Sequence, residues 1–495
     1  MKRIIDTVHG EIIIPKQYFS EIIDTAEFQR LRHIDQSAIR SIFPCARHDR
    51  FVHSLGVFYI GRKIIKHLEE TLSSELIESK SYQVIKESYI LACLLHDVGH
   101  APFSHTFEEY FGTQMELADR LNDIIKIVEH GKAKNTNYHE YTSAIIAIER
   151  FGKAITKFNG DSELVARMIT GQKYHDCERS LENCFIELLH GDIIDADRID
   201  YACRDVWASG YATAKFDVGR LIDAIIIELD KDSNNWQLLF KGSVINEIES
   251  LLKIREFQNR YVIGHHKVIY DQHLLVKAIE YSAINLISKE EQDEIIAASK
   301  YKDQSQQNLK YKAVAKICSL QNLTKDGDMP YLSDADLIHL IKKDRNNDYA
   351  KQWFSRQYIH IPLWKSLLQF NYYFPFLKGY SLDCIQFKEV FEKAMDNLGI
   401  KDAVVYKTKI KGDVDLTDVK IKIGENPPVG INEVYEFNSS NIRDDKVFFY
   451  AYIPKTSGLN NQEIIDKLTD PLREAFKAYM DTVPKEENSD SSPIT

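Results

Sequence analysis

Helical periodicity is the feature that most constrains the fold of this chain. From residue 24 to about residue 287, apolar residues recur at the spacing of amphipathic helices, for example over 55–68 and 141–151. Such helices bury their apolar faces against one another, so this part of the chain predicts helices packed on helices. Because a single core stops growing at roughly 250 to 300 residues, a chain of 495 residues is expected to form a second, smaller part.

The pattern changes beyond about Asn371. Segments 404–410, 419–423 and 447–453 have the β-branched and aromatic composition of strands, and helical spacing returns over 461–479. Short β elements are also expected at 6–15, as a turn followed by a strand, and as a hairpin around 236–240. We therefore expect a mainly α protein with a helical core and small β-hairpin elements over 1–370. An α+β domain should follow over 371–483, and the acidic, Ser-rich residues 484–495 should be a disordered tail.

Charge and cysteine content narrow the class of protein. A net charge of -11 argues against a broad surface for nucleic acid, since binding to the phosphate backbone needs many clustered cations. The seven cysteines include no C-x-x-C pair, which fits reduced thiols in a cytosolic protein. No signal-peptide pattern opens the chain, and no apolar run reaches the roughly 18 residues that a membrane span needs. The sequence thus predicts a cytoplasmic protein that does not bind membranes.

One segment concentrates the residue types of a metal site. Residues 94–105 follow an apolar helix and contain three histidines and one aspartate, namely His96, Asp97, His100 and His105. A neighbouring imidazole and carboxylate can bind one ion, and this mixed set suits Mn, Fe, Ni or Zn better than Ca. His53 upstream and Asp197 downstream offer a further nitrogen and a further carboxylate. An isolated His-Asp pair is more often a solvated helix end, so the prediction depends on the whole set.

The order His, His-Asp, Asp resembles the HD superfamily. Within that superfamily, the chain resembles the deoxynucleoside triphosphate triphosphohydrolases in the residue types and spacing of 50–55, 96–107 and 195–205. The helix signature over 24–32 and the turn His9-Gly10 resemble the same enzymes. The resemblance is good over residues 1 to about 290 and thin beyond about 370. It implies an HD-domain helical core that hydrolyses a deoxynucleoside triphosphate to the deoxynucleoside and inorganic triphosphate.

Residue by residue, the resemblance implies three sets of functional side chains. The implied ligands of a divalent transition metal (Mn, Fe, Ni or Zn, with Mg on the substrate phosphates as a further option) are His53, His96, Asp97 and Asp197. The implied proton-transfer residues are His100, His105, Glu108 and His139, with Glu108 where relatives often have Asp. The implied substrate-binding residues are Gln36 and Asp205 for the sugar, and Arg50, Arg198 and Tyr201 for the phosphates, with Arg198 replacing a Lys.

The same resemblance implies regulation and assembly. The residues that match a nucleotide-activator site are Lys2, Asp24, Gln29, Arg32 and Arg220. The paired basic residues that complete such a site are missing from 239–242, and the helix over 29–32 is equally well explained as part of a subunit interface. Relatives assemble through this core, so a homo-oligomer, dimer or higher, is expected.

Two alternatives stay open from the sequence. An HD phosphohydrolase could act on a nucleoside monophosphate, a cyclic nucleotide or an alarmone, since the metal ligands are shared. A nucleotide sensor or nucleic-acid-binding protein could use the same fold, with lysines of 407–411 and 420–422 as a basic surface, although alternating lysines are more often the solvated face of a sheet. Neither a P-loop nor a G-x-G-x-x-G after a strand is present, so kinase and dehydrogenase chemistry are not supported.

Overall fold

The computed structural model describes residues 1–126, 136–191, 194–210, 215–297, 302–378, 382, 387–410, 419–435, 446–455 and 460–482. The chain divides into two compact units. The first comprises Met1–Gln258, Leu274–Ala350 and Val414–Asn438, and the second comprises Asn259–His273, Lys351–Asp413 and Ser439–Thr495. The predicted domain boundary near residue 370 stays a prediction, and the predicted disordered tail, 484–495, lies outside the described residues.

The mainly α prediction is confirmed, because helices dominate and the sheets are small. The helices up to residue 258 are α1 (Lys16–Tyr18), α2 (Ala26–Gln29), α3 (Arg50–Thr71), α4 (Ser74–Glu78), α5 (Lys80–Leu95), α6 (Gln114–Ile124), α7 (Tyr138–Lys157), α8 (Ser162–Thr170), α9 (Ser180–Leu189), α10 (Ala196–Ser209), α11 (Val218–Asp223) and α12 (Ile245–Phe257). The later helices are α13 (His266–Ala283), α14 (Lys289–Ala297), α15 (Lys302–Ile317), α16 (Asp334–Lys343), α17 (Asp348–Ser355), α18 (Leu367–Tyr373), α19 (Phe387–Asn397), α20 (Ile431–Val434) and α21 (Asn461–Thr482). None of the described helices combines the length and apolar character needed to cross a membrane.

The strands within the described residues form three small sheets. They are β1 (Lys2–Asp6), β2 (Gly10–Ile14), β3 (Ile225–Asp230), β4 (Asn235–Lys241), β5 (His360–Pro362), β6 (Val404–Ile410), β7 (Lys420–Lys422), β8 (Val429–Gly430) and β9 (Lys446–Pro454). In the first unit β1 and β2 form an antiparallel hairpin, and a second sheet has the order β3-β4-β7-β8. In the second unit the order is β5-β9-β6. The opening segment was predicted to form one strand after the turn, but residues before the turn also form a strand.

Helices α3, α5 and α10 form the part of the core that positions the candidate site. Helix α3 packs against both α5 and α10. The N-terminus of α3 is capped by Asp49, whose carboxylate accepts the Val52 N–H at 2.9 Å. The N-terminus of α10 is capped in the same way by Asp195, which accepts the Arg198 N–H at 2.6 Å. These caps fix where each helix begins, and the first turns of both helices carry side chains of the site.

Gly56 is where α3 approaches α10 most tightly. A Cβ at this position would overlap the carboxylate of Asp200 and lie 2.5 Å from Nη2 of Arg204. Both side chains are buried and belong to α10. The absence of a side chain on Gly56 therefore allows a buried ion pair of α10 to lie directly against the backbone of α3.

We predict that Gly56→Ala lowers the free energy of unfolding by about 1–3 kcal/mol, because an overpacked core must shift its neighbours. Gly152→Ala is the matched control, since Gly152 also lies inside a helix but its Cβ would have ordinary contact with Ser162 Oγ at 3.9 Å. The control should gain up to about 1 kcal/mol from the better helix propensity of Ala. Urea unfolding of both variants measures these changes, and equal stability of the two would contradict the close approach.

Candidate active site

Three predicted metal ligands converge in the first unit. His53 lies in the first turns of α3, His96 directly follows α5, and Asp197 lies in the first turn of α10. One possible ligand atom from each lies within 4.8 Å of the other two. His53 Nε2 is 2.9 Å from Asp197 Oδ1 and 3.3 Å from His96 Nε2. Two buried imidazoles and a carboxylate thus face a common point.

The outer nitrogens of both histidines are held by acceptors. His53 Nδ1 donates to Asp200 Oδ2 at 2.7 Å, and His96 Nδ1 donates to the Cys93 carbonyl at 3.0 Å, since neither acceptor carries a proton to give. Metal-binding histidines are usually oriented in this way, with the second nitrogen directed at the ion. The Nε2 atoms of both rings lie close to Asp197 Oδ1, at 2.9 Å for His53 and 3.7 Å for His96, and two nitrogens with a carboxylate form a donor set that suits a divalent cation.

The electrostatics of the site favour positive charge. Burial alone would lower the pKa of His53, but its hydrogen bonds to Asp197 and Asp200 raise that pKa to about 10. His53 and His96 hold the pKa of Asp197 well below its ordinary value against the effect of burial. A metal ion must displace the proton of a histidine in order to bind. The carboxylates that attract this proton therefore also attract a metal ion to the same place.

Asp97 lies beside these three residues but is paired with Arg50. Its Oδ2 accepts from Arg50 Nη1 at 2.8 Å and is 3.6 Å from His53 Nε2. Its Oδ1 is also 3.6 Å from His96 Nε2. Burial would raise the pKa of Asp97, but Arg50 and the histidines lower it to about 2. Asp97 is therefore an ionised carboxylate next to the candidate cation position, and its role as a ligand stays a prediction.

The predicted proton-transfer residues form a second cluster. Oε1 of the buried Glu108 is 2.8 Å from Nδ1 of His105, 3.0 Å from Nδ1 of His139 and 3.3 Å from Nδ1 of His100. The rings of His100 and His139 stack with centroids 4.3 Å apart. Nε2 of His100 is 3.7 Å from Asp97 Oδ1, so the second cluster lies directly beside the first.

The histidines of this cluster differ in their environment. Burial and the nearby Arg50 hold the pKa of His100 well below its ordinary value, so His100 is neutral. Burial also acts to lower the pKa of His139, but Glu108 raises it to about 9. His105 has a side chain that is 66% exposed. Groups with pKa values pushed apart in one site are typical of paired acids and bases.

A buried ion network supports His53 from behind. The Asp200 carboxylate that holds His53 also binds His9 Nε2 at 2.6 Å and Arg204 Nε at 2.8 Å. Arg204 Nη1 in turn donates to Asp6 Oδ1 at 2.8 Å. Asp6 ends β1, so the network connects the first hairpin with α3 through α10. Its positioning role was not predicted, although Asp197, Asp200 and Arg204 have the helical spacing that places side chains on one face.

The predicted substrate-binding residues differ in their burial and in the groups that they contact. Arg50 is buried and pairs with Asp97, and its Nη2 donates to the Gln36 carbonyl at 3.2 Å. The Gln36 side-chain oxygen is buried without a hydrogen-bond partner among the described residues. Arg198 donates to the Gly191 carbonyl, and burial raises the pKa of Tyr201. Asp205 Oδ1 bonds His48 Nε2 at 2.6 Å.

The residues predicted for an activator site are only partly brought together. Lys2 and Asp24 form an ion pair at 3.0 Å. Arg32 donates from Nε to Gln29 Oε1 at 2.8 Å. Arg220, on α11, instead pairs with Glu247 of α12 at 2.9 Å. The structure therefore shows two local pairs on the N-terminal segment and a separate ion pair for Arg220.

We predict that Asp200→Asn weakens the binding of Mn²⁺ or Zn²⁺ by roughly 10- to 100-fold, because the His53 ring loses a charged acceptor. Asp205→Asn, on the same helix, should bind the metal as the wild type does, since Asp205 contacts His48 instead. Titration of the metal-free protein by calorimetry measures both affinities. Equal affinity of the Asp200 variant and the wild type would show that Asp200 does not support the metal ligand.

Comparison with known proteins identifies the domain that carries these clusters. Residues 50–188 match the HD domain family. An uncharacterized protein of Mycoplasma pneumoniae is 31% identical over 267 residues, which are 52% of this chain and 56% of that protein. The deoxynucleoside triphosphate triphosphohydrolase SAMHD1 homolog of Dictyostelium discoideum is 28% identical over 296 residues, covering 59% of this chain and 50% of that protein. The chain spans about half the length of these curated relatives.

Solved structures share the fold. A phosphohydrolase from Bacteroides thetaiotaomicron aligns with a TM-score of 0.60 at 19% identity, over 92% of this chain and 99% of that one. A hypothetical protein from Aquifex aeolicus aligns with a TM-score of 0.58 at 20% identity, over 95% and 99% of the two chains. These structures show the fold, and the match over residues 50–188 identifies an HD domain in this chain. The side chains described above belong to that domain or lie next to it.

Proposed function

We propose that the protein is a metal-dependent triphosphohydrolase that converts a deoxynucleoside triphosphate into the deoxynucleoside and inorganic triphosphate. The observation that carries this proposal is the juxtaposition of two clusters on either side of Asp97, which pairs with Arg50 and lies 3.6 Å from His53 Nε2 and 3.7 Å from His100 Nε2. His53, His96 and Asp197 offer a cation site on one side, and Glu108 gathers three histidines on the other. A phosphoester bound at Arg50 would lie within reach of both.

The choice of a deoxynucleoside triphosphate over other nucleotides rests on the chain's similarity to its relatives. The name of the Dictyostelium discoideum relative gives this activity for that protein. Residues 24–32, Arg50 and 201–205 resemble such enzymes more closely than other HD hydrolases. Hydrolysis of a monophosphate, a cyclic nucleotide or an alarmone is the alternative that the cation site alone would equally permit.

The cation would be held by His53, His96, Asp97 and Asp197, which together supply two nitrogen and two carboxylate ligands. When bound, a divalent ion neutralises charge that develops on phosphate oxygens and lowers the pKa of water. Mn, Fe, Ni or Zn fit this mixed donor set, and Mg would suit the substrate phosphates. Asp200, through His53 Nδ1, keeps the ring directed at the ion.

The histidine cluster would handle the protons of the reaction. Water would lose a proton as its oxygen bonds to the α-phosphorus, the bond from that phosphorus to O5′ would break, and O5′ would take up a proton. His105 is the member of the cluster with the most exposed side chain, so we place it nearest to O5′ as the acid. Glu108 would orient its ring through Nδ1, and His139 shares the same carboxylate oxygen. His100 completes the cluster as a neutral ring.

The remaining side chains would bind the substrate. Arg50, Arg198 and Tyr201 would donate to the phosphates, where a guanidinium offers paired donors. Gln36 and Asp205 would accept the 3′-hydroxyl of the sugar, and the side-chain oxygen of Gln36 has no other partner among the described residues. A buried acceptor that lacks a partner in the free protein gains most from a ligand that supplies the donor.

We predict that the purified protein with Mn²⁺ releases deoxynucleoside and intact triphosphate from a dNTP, and that His96→Ala reduces this rate at least about 1,000-fold by removing a metal ligand. His339→Ala is the control, because His339 is an exposed histidine on α16. Anion exchange separates triphosphate from single phosphate. Single phosphate as product would favour the alternative hydrolases, and no turnover with any dNTP would oppose the proposed function.

Regulation and assembly are further parts of the proposal. A nucleotide bound at Lys2, Asp24, Gln29 and Arg32 would replace the present ion pair between Lys2 and Asp24 with its own contacts. We therefore predict that GTP or a second dNTP raises the rate of the wild type, and that Arg32→Ala abolishes this response while retaining the basal rate. Rates that do not respond to either nucleotide would contradict the proposed activator site.

The proposed homo-oligomer is tested by sedimentation of the protein with and without nucleotide.

A further inference from the structure

We infer that Asp334 is a positioning residue of the active site, because its carboxylate ties together the two loops that hold Arg50. This residue begins α16 and is separated from Phe103 by 231 positions in the sequence. The inference rests on the proposed function only for the identity of the substrate. The contacts themselves lie within the first unit.

One carboxylate serves two loops. Asp334 Oδ1 accepts the Phe103 N–H at 2.6 Å, and Oδ2 accepts the Asp35 N–H at 2.9 Å. The Asp334 residue is 6% exposed, so water does not readily replace either bond. A buried N–H that loses its acceptor is costly, so the two loops depend on the same side chain for their local geometry.

The first of these loops has an unusual backbone. Phe103 and Ser104 both have φ of 54°, in the left-handed region that bulky residues rarely adopt. Such a conformation persists only where surrounding contacts hold it. The bond from Phe103 N–H to Asp334 is one of these contacts, and it lies immediately before Ser104 and His105.

Both loops meet at Arg50. Its Nε donates to Ser104 Oγ at 2.9 Å, and Ser104 Oγ donates to the Asp35 carbonyl at 2.5 Å. Its Nη2 donates to the Gln36 carbonyl at 3.2 Å, next to Asp35. Two of the three nitrogens of the guanidinium are therefore fixed by the loops that Asp334 joins. The third, Nη1, is left to hold Asp97 at 2.8 Å.

The start of α16 has a second attachment that does not involve Asp334. The buried Arg30 donates from Nη1 to the Leu332 carbonyl at 3.0 Å. Its Nη2 donates to the carbonyls of Val98 and His100, each at 2.9 Å. Loss of the Asp334 carboxylate should therefore leave α16 docked while it frees the two loops. This separation makes a positioning role distinguishable from a purely structural one.

The test compares Asp334→Asn and Asp334→Ala with Asp336→Asn. Asp336 lies in the same first turn of α16, and its carboxylate accepts from the N–H and the hydroxyl of Ser333, each at 2.8 Å. The control thus weakens the start of the helix without touching either loop. We expect kcat/KM to fall about tenfold to a hundredfold in Asp334→Ala and less in Asp334→Asn, as for small misplacements of binding groups. Bound metal should match the control.

Hydrogen exchange of the substrate-free protein tests the same inference independently of turnover. Peptides covering residues 34–36 and 101–107 should exchange faster in both Asp334 variants than in Asp336→Asn, while the rest of α16 is unchanged. Unchanged exchange in these peptides would overturn the inference, as would a loss of activity that merely follows loss of metal or of melting temperature. If the wild type hydrolyses no dNTP, the proposed function fails, but the exchange result still decides the role of Asp334.

Discussion

The rest of the site depends on the hydrogen bonds and ion pairs that several side chains make to one buried carboxylate, that of Asp200. A buried negative charge is tolerated only with partners, and here those partners are His53, His9 and Arg204. His9 lies between β1 and β2, His53 lies on α3 and Arg204 lies on α10 itself, so satisfying one charge fixes the relative position of β1–β2, α3 and α10. Gly56 leaves the space that this arrangement needs, and the orientation of His53 toward a cation follows from it.

The two clusters differ in the charge they favour. Around His53 the carboxylates outnumber the cations, which attracts a proton or a metal ion. Around Glu108 one carboxylate is shared by three imidazoles, of which His100 is kept neutral by burial and by Arg50. Arg50 pairs with Asp97, which lies 3.6 Å from His53 Nε2 in one cluster and 3.7 Å from His100 Nε2 in the other. Under the proposed function, a phosphate in this space would meet a cation site, a guanidinium and protonatable rings without any large rearrangement of charge, which is the preorganisation that hydrolysis requires.

The sequence predicts the local parts of this site much better than the distant ones. His96 and Asp97 were placed at a helix end, and the structure ends α5 at Leu95. Asp200 and Arg204 share a face of α10 with Asp197, but nothing in their spacing indicates that Asp6 and His9 complete their charges. Asp334 has no local signal, since its partners are backbone groups far away in the chain. The sequence likewise predicted β structure at both β4 and β7 but not their parallel pairing, because pairing depends on tertiary contacts.

Asp197 lies outside the segment that matches the HD family, so that segment is shorter than the one that carries the candidate cation site. The similarity to the HD family ends at residue 188, within α9, whereas the carboxylate facing His53 and His96 comes from the next helix. A segment cut at the end of that similarity would keep both imidazoles and lose the Asp197 oxygen and the Asp200 support together. A recombination event that moved only this segment would therefore transfer the recognisable motif without a complete cation site. A segment that carries all of the candidate site's side chains must extend through α10.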